Sequence, residues 1–101
     1  MLLWFAACAG GTSVAIDNRA GQRIDSLSVE AAGQTEDCGA IDPEQSCRVR
    51  IAPARDGSFT LSGRLADGTS VQATGLGYTT PGDPVAHAFD VGVGGQVTVK
   101  R

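Results

Sequence analysis

Apolar and polar residues alternate through most of this chain in short runs punctuated by glycine, and that alternation predicts strands. Thr12 to Asp17 puts Val14 and Ile16 on one face, the period of two that a half-buried strand requires. Asn18 to Gly21 turns the chain, and Ile24 to Ala31 then carries Leu27 and Val29 inward. Ser46 to Ala52 sets Cys47, Val49 and Ile51 against Arg48 and Arg50, which points Cys47 into the core. Ser58 to Leu65 sets Phe59, Leu61 and Leu65 against polar neighbours and Arg64. Asp67-Gly68 reads as a tight hairpin, because both residue types tolerate positive φ. Thr69 to Thr74, Val85 to Val91 and Gln96 to Lys100 complete about seven strands. Two stretches read as loops: an acidic one from Ala32 to Gln45, and one rich in proline and glycine from Thr79 to Pro84. Helical periodicity is absent. The expected fold is all-β, a single seven-stranded antiparallel β-sandwich over residues 12–101.

Composition narrows this picture. A chain of 101 residues makes one domain. Hydrophobic residues make up 42%, but Trp4 and Phe5 precede the first strand, so the core rests on aliphatic side chains with Phe59 and Phe89. Such a core is thin, and a covalent cross-link would help it. The net charge of −3 and the dispersed arginines exclude a nucleic-acid footprint. No segment after the N-terminus approaches the roughly 20 apolar residues that cross a bilayer.

The N-terminus is the most telling segment. The apolar run Leu2-Leu3-Trp4-Phe5 ends in Phe5-Ala6-Ala7-Cys8 and opens onto Ala9-Gly10-Gly11. It resembles a bacterial lipobox, in which small residues precede a cysteine that is acylated and becomes the new N-terminus after cleavage. The resemblance implies that residues 1–7 are the remnant of a signal peptide, that Cys8 is lipidated and that residues 8–11 are a tether. No Lys or Arg precedes Arg19 and the apolar stretch is short for a secretory signal. The expectation is that an upstream segment precedes Met1; the alternative is a cytoplasmic chain with a hydrophobic end.

Three cysteines are an odd number, which in an exported protein needs an explanation. If Cys8 takes a lipid, Cys38 and Cys47 remain as one pair. The turn-forming residues between them can bring the thiols together in a disulfide, which an oxidising compartment permits. A reduced buried pair and two unrelated thiols are the alternatives. Zinc wants about four ligands and the chain has one histidine, so no metal or cofactor is expected.

Candidate chemistry is sparse. His87 is the sole histidine, so a Ser-His-Asp arrangement must use it; its parity with Phe89 and Val91 favours a place at the border of the core. Glu36, Asp37, Asp42 and Glu44 lack the spacing of a calcium loop and read as a solvated segment. Arg48 and Arg50 lie on an outward face, with Arg64 on another strand, and could form a cationic strip toward anionic lipid headgroups. Tyr78, with Thr79 and Thr80, is the candidate binding loop, because an aromatic loop tip is where sandwiches commonly make contacts.

Asn18-x-x-Gly21-x-x-Ile24-x-x-Leu27-x-Val29, followed by Asp56-Gly-Ser-Phe-Thr-Leu-Ser-Gly63, Gly68-Thr69 and Gly77-Tyr78, is similar in order and spacing to carboxypeptidase regulatory-like domains. The likeness spans about two thirds of the chain. Arg23 stands where that family often has proline, and the Cys38 to Cys47 segment has no counterpart. The resemblance implies a sandwich of transthyretin-like or immunoglobulin-like kind with a non-catalytic accessory role, and no catalytic residues. The resulting expectation is a small cell-envelope lipoprotein that touches membrane lipid through Cys8 and binds another envelope protein. The alternatives are a small periplasmic enzyme using His87, and a domain cut from a larger exported protein.

Overall fold

A computed structural model describes residues 11–82 and 85–100. Eight strands follow one another: β1 (Thr12–Asn18), β2 (Ile24–Ala31), β3 (Gln34–Asp37), β4 (Ser46–Ile51), β5 (Gly57–Leu65), β6 (Ser70–Thr79), β7 (His87–Val91) and β8 (Val97–Val99). They form two four-stranded sheets, ordered β4-β1-β7-β8 and β3-β2-β5-β6, packed face to face. The chain is therefore all-β and two-layered, as the alternation predicts.

Two details differ from the expectation. The sandwich has eight strands rather than seven, because the acidic segment contains β3, whose four residues are all exposed. It has no inward row, so hydrophobic patterning is silent about it. The Ala32-Gly33 turn, with φ of 53° and 84°, folds it back onto β2 with Ala31 opposite Gln34, and both positive angles match the twist of a tight hairpin. Nor is the sandwich wholly antiparallel. β1 pairs antiparallel with β4 but parallel with β7, with Val14 opposite His87 and Asn18 opposite Val91. Alternation dictates which face a side chain takes, not the direction of the neighbouring strand.

The two inner faces meet in one core. Val14 and Ile16 from β1, Leu27 and Val29 from β2, and Leu61 and Leu65 from β5 are buried, each contributing about 1.5–3 kcal/mol by leaving water. Phe59 of one sheet packs edge-on against Phe89 of the other, with centroids 5.5 Å apart, the geometry aromatic quadrupoles favour. Gly63 marks the tightest approach within a sheet. A β-carbon there would run into the Ser26 carbonyl oxygen, nearer than real β-carbons come, at the place where the β2–β5 register slips between Ile24 and Ser26.

The sulfurs of Cys38 and Cys47 form a disulfide, their α-carbons 5.9 Å apart. Cys38 follows β3 at the edge of one sheet and Cys47 lies in β4 at the edge of the other. The bond thus clips the two layers together along one side. Both cysteines are partly buried against the core, so the inward placement of Cys47 holds.

β6 runs further than the alternation suggested. Gly75-Leu-Gly-Tyr78 belongs to the strand, not to a loop entrance. Its register against β5 slips twice, with Leu61 opposite Ala73, Phe59 opposite Leu76 and Gly57 opposite Thr79. Gly75 and Gly77 take φ of 68° and 66° at these slips, the left-handed conformation that bulges assign to glycine. β6 is an edge strand, and bulges curl such an edge away from pairing with another chain.

Candidate functional site

The strands of both sheets share two ends, and side chains are used differently at each. One end gathers the last residues of β1, the start of β2 and the β5–β6 hairpin. Asn18 is fully buried there, with its carboxamide spent on backbone: Nδ2 donates to the carbonyls of Gln22 and Ile41, each at 2.9 Å, and Oδ1 accepts from the Ala20 amide at 2.9 Å. The Asn18 amide and carbonyl also bond Gln45 and Glu44. One residue therefore fastens three segments. Gln22 extends the network to the hairpin, accepting from the Asp67 amide at 2.9 Å and donating to its carboxylate at 3.1 Å. Hydrogen bonds from Thr69, then Gln22, hold the Asp67 carboxyl below its ordinary range. In sequence Asn18 is a turn former, and nothing in the pattern distinguishes that role from a buried anchor.

The outer face of the β4-β1-β7-β8 sheet carries the paired charges. Lys100 donates to Asp17 Oδ2 at 2.6 Å and the Ser46 hydroxyl donates to Oδ1 of the same carboxylate. The Lys100 bond first, and the Ser46 bond second, lower the Asp17 pKa from its ordinary 3.8. A carboxylate lowered on folding stabilises the fold above its unfolded pKa, and that contribution disappears as pH falls through the folded value. Asp17→Asn should therefore lose less stability than the parent between neutral and acid pH, read as urea midpoints; equal acid sensitivity would assign the effect elsewhere. Beside it, Asp90 has one oxygen shut from water with no hydrogen bond, facing Arg19 Nε at 3.8 Å.

The opposite end holds the residues singled out as a contact surface, though not as one loop. Tyr78 and Thr79 lie within β6. Tyr78 is 59% exposed while Thr79 is 1% exposed and Thr80 is intermediate, so Tyr78 alone of the three presents a large surface. Its phenol is raised above its ordinary pKa, by desolvation first and by the neighbouring Asp56 carboxylate second. Val85 is 57% exposed, and its carbonyl accepts the Thr12 hydroxyl. Arg50 donates to the Gly11 carbonyl at 3.1 Å, where the described chain begins. Arg55 lies across the β2–β3 turn, against Gly33.

The other candidates are dispersed. His87 is partly buried with its ring 4.7 Å from that of Phe59. Arg64 belongs to β5, in the other sheet from Arg48 and Arg50, so the three do not make one strip. Glu36 and Asp37 lie on β3, where Asp37 accepts the Ser28 hydroxyl at 2.7 Å; Asp42 and Glu44 lie beyond it. Among the described residues no group of three or more His, Cys, Asp or Glu side chains could hold a metal ion, no pocket forms, and no helix is long and apolar enough to cross a membrane. Cys8 and the lipobox-like segment fall outside the described residues.

These features define a class: a small two-layer β domain, clipped by one disulfide, with a polar-networked end and an end bearing exposed Tyr78 and Val85. No family model and no curated protein matches the chain. Among solved structures it is similar to the NMR structure of a protein from Eubacterium rectale, with a TM-score of 0.66 and 10% identity over 96% of this chain and 93% of that one. At that identity the likeness concerns the fold.

Proposed function

We propose that this chain is a small non-catalytic lipoprotein of the bacterial cell envelope, held on the periplasmic or outer side of a membrane by acylated Cys8 and serving as a binding or structural module. The observation that carries the reading is the cysteine inventory. Of three cysteines, Cys38 and Cys47 are joined, which leaves Cys8 within Phe5-Ala6-Ala7-Cys8 for the lipid. Disulfides persist in the oxidising compartments to which lipoprotein signals lead, so the bond and the signal support one address. The carboxypeptidase regulatory-like resemblance adds an accessory role on a transthyretin-like or immunoglobulin-like sandwich. Its Asp56 to Gly63 motif occupies β5 and the turn before it, and its Gly77-Tyr78 lies in β6.

Mass spectrometry of the membrane fraction, from cells carrying the gene with its full upstream sequence, tests the proposal. The expected N-terminal peptide begins at Cys8 and carries acyl chains, and Cys8→Ser should release the protein from membranes. A soluble product with an unmodified Cys8 overturns it.

A further inference from the structure

The acidic net charge conceals a polarity along the strands. At the Asn18 end lie Asp25, Asp42, Glu44 and Asp67. Of the arginines there, Arg19 faces Asp90 at 3.8 Å and Arg23 faces Asp25 at 2.9 Å, while Arg64 has no described carboxylate within ion-pair distance. At the Gly11 end the acidic excess disappears, with two arginines against two described carboxylates. Arg50 nearly ends β4 and Arg55 follows it; the described carboxylates nearest that end are Glu30 and Asp56. Among the described residues, no carboxylate is within ion-pair distance of Arg50 or Arg55. The same end presents the phenol of Tyr78 and the side chain of Val85, each more than half exposed.

The geometry points to this end as a membrane-facing surface, with Arg50 and Arg55 taking anionic lipid headgroups and Tyr78 seated at the interface. The inference rests on the lipid anchor proposed above and specifies which face that anchor presents. Three features on one surface carry it. The chain leaves for Cys8 there, with only Ala9, Gly10 and Gly11 between anchor and β1. An extended residue spans at most about 3.6 Å, so the end of the sandwich stays within roughly 10–14 Å of the acylated cysteine. Arg50 is bonded to the Gly11 carbonyl and so stands at the exit itself. Cationic side chains within a Debye length of anionic headgroups are attracted to them, and tyrosine rings settle where apolar and aqueous phases meet. The acidic Asn18 end then points away from a surface that would repel it.

The test couples the full chain, bearing Trp4→Phe and Tyr78→Trp, through the Cys8 thiol to a maleimide lipid, so that it does not depend on cellular acylation. Fluorescence is read on phosphatidylcholine vesicles with and without brominated phosphatidylglycerol. A second chain carries the reporter at the far end as Asp42→Trp. The expected result is strong bromine quenching and a blue shift at position 78, little at position 42, and weaker quenching at 78 after Arg50→Ser with Arg55→Ser. High salt should act like the double substitution. In a separate arm, the uncoupled full chain is titrated with the same vesicles, where each lost arginine should weaken binding about five-fold. Equal quenching at positions 78 and 42, or no response to the arginine substitutions, overturns the inference. An unmodified Cys8 in cells with the orientation intact on vesicles overturns the anchor instead.

Discussion

Asn18→Asp is expected to destabilise the domain more than Asn18→Ala, although it alters the side chain least. Alanine removes the carboxamide and strands the Gln22 carbonyl and the Ala20 amide, while the Ile41 carbonyl keeps its bond from the Ile24 amide. At about 1–3 kcal/mol for each of these two buried groups, partly relieved by entering water, the loss should be about 2–4 kcal/mol. That is a large share of the roughly 5–15 kcal/mol that holds a typical domain. Aspartate keeps the bond from the Ala20 amide but turns a carboxylate oxygen toward the Gln22 and Ile41 carbonyls, placing a buried charge against two acceptors. Folding must then raise the pKa of the introduced carboxyl, since the protonated form alone can donate. The penalty is accordingly full at pH above that raised value and shrinks as pH falls through it toward the ordinary aspartate pKa. Urea melts of both variants across this range check the argument. Equal losses at neutral pH, or a gap that widens in acid, would mean that the carboxamide does not have the role its contacts describe.

Removing the disulfide is the second large effect. With nine residues of sequence separation between Cys38 and Cys47, closing so short a loop restricts the unfolded chain by about 2–3 kcal/mol in the entropic account. For a domain of this size that corresponds to a fall in Tm of about 10–20 °C. Cys38→Ala with Cys47→Ala should reproduce the loss measured in the parent under reductant, and reductant should leave the double variant unchanged. The side of the sandwich holding β3 and β4 should open first, visible as faster amide exchange along β3, because little apolar surface holds that exposed strand in place. Coincident melting of oxidised and reduced protein would contradict this.

Much of the architecture was legible in the sequence because burial leaves a period of two. The inward positions of β1, β4, β5 and β7 appear in the structure where alternation puts them: Val14 and Ile16, Val49 and Ile51, Phe59 and Leu61, Phe89 and Val91. The features that escaped leave no such trace. β3 is polar on both faces, and its pairing depends on the Ala32-Gly33 turn. The parallel partnership of β1 with β7 is a property of chain direction, which side-chain alternation does not carry. In β6 the two bulges interrupt the alternation, so its last residues resembled a loop and Tyr78, Thr79 and Thr80 resembled one contact surface. The bulged backbone instead turns Tyr78 outward and Thr79 inward. The contact end was legible only through Tyr78, because Arg50 and Arg55 join it by way of strand topology.

The parallel pairing of β1 and β7 has a temporal side. Thr12 and Val85, bonded to each other, stand 73 residues apart, and β1 lies in the interior of its sheet, with β4 on one flank and β7 on the other. β1 therefore lacks one neighbour until β7 has been made. Part of the core waits with it, since Phe89 and Val91 arrive on β7. Pairing so distant in sequence raises the contact order and slows folding, and the sheet built on β1 closes only when β7 joins it.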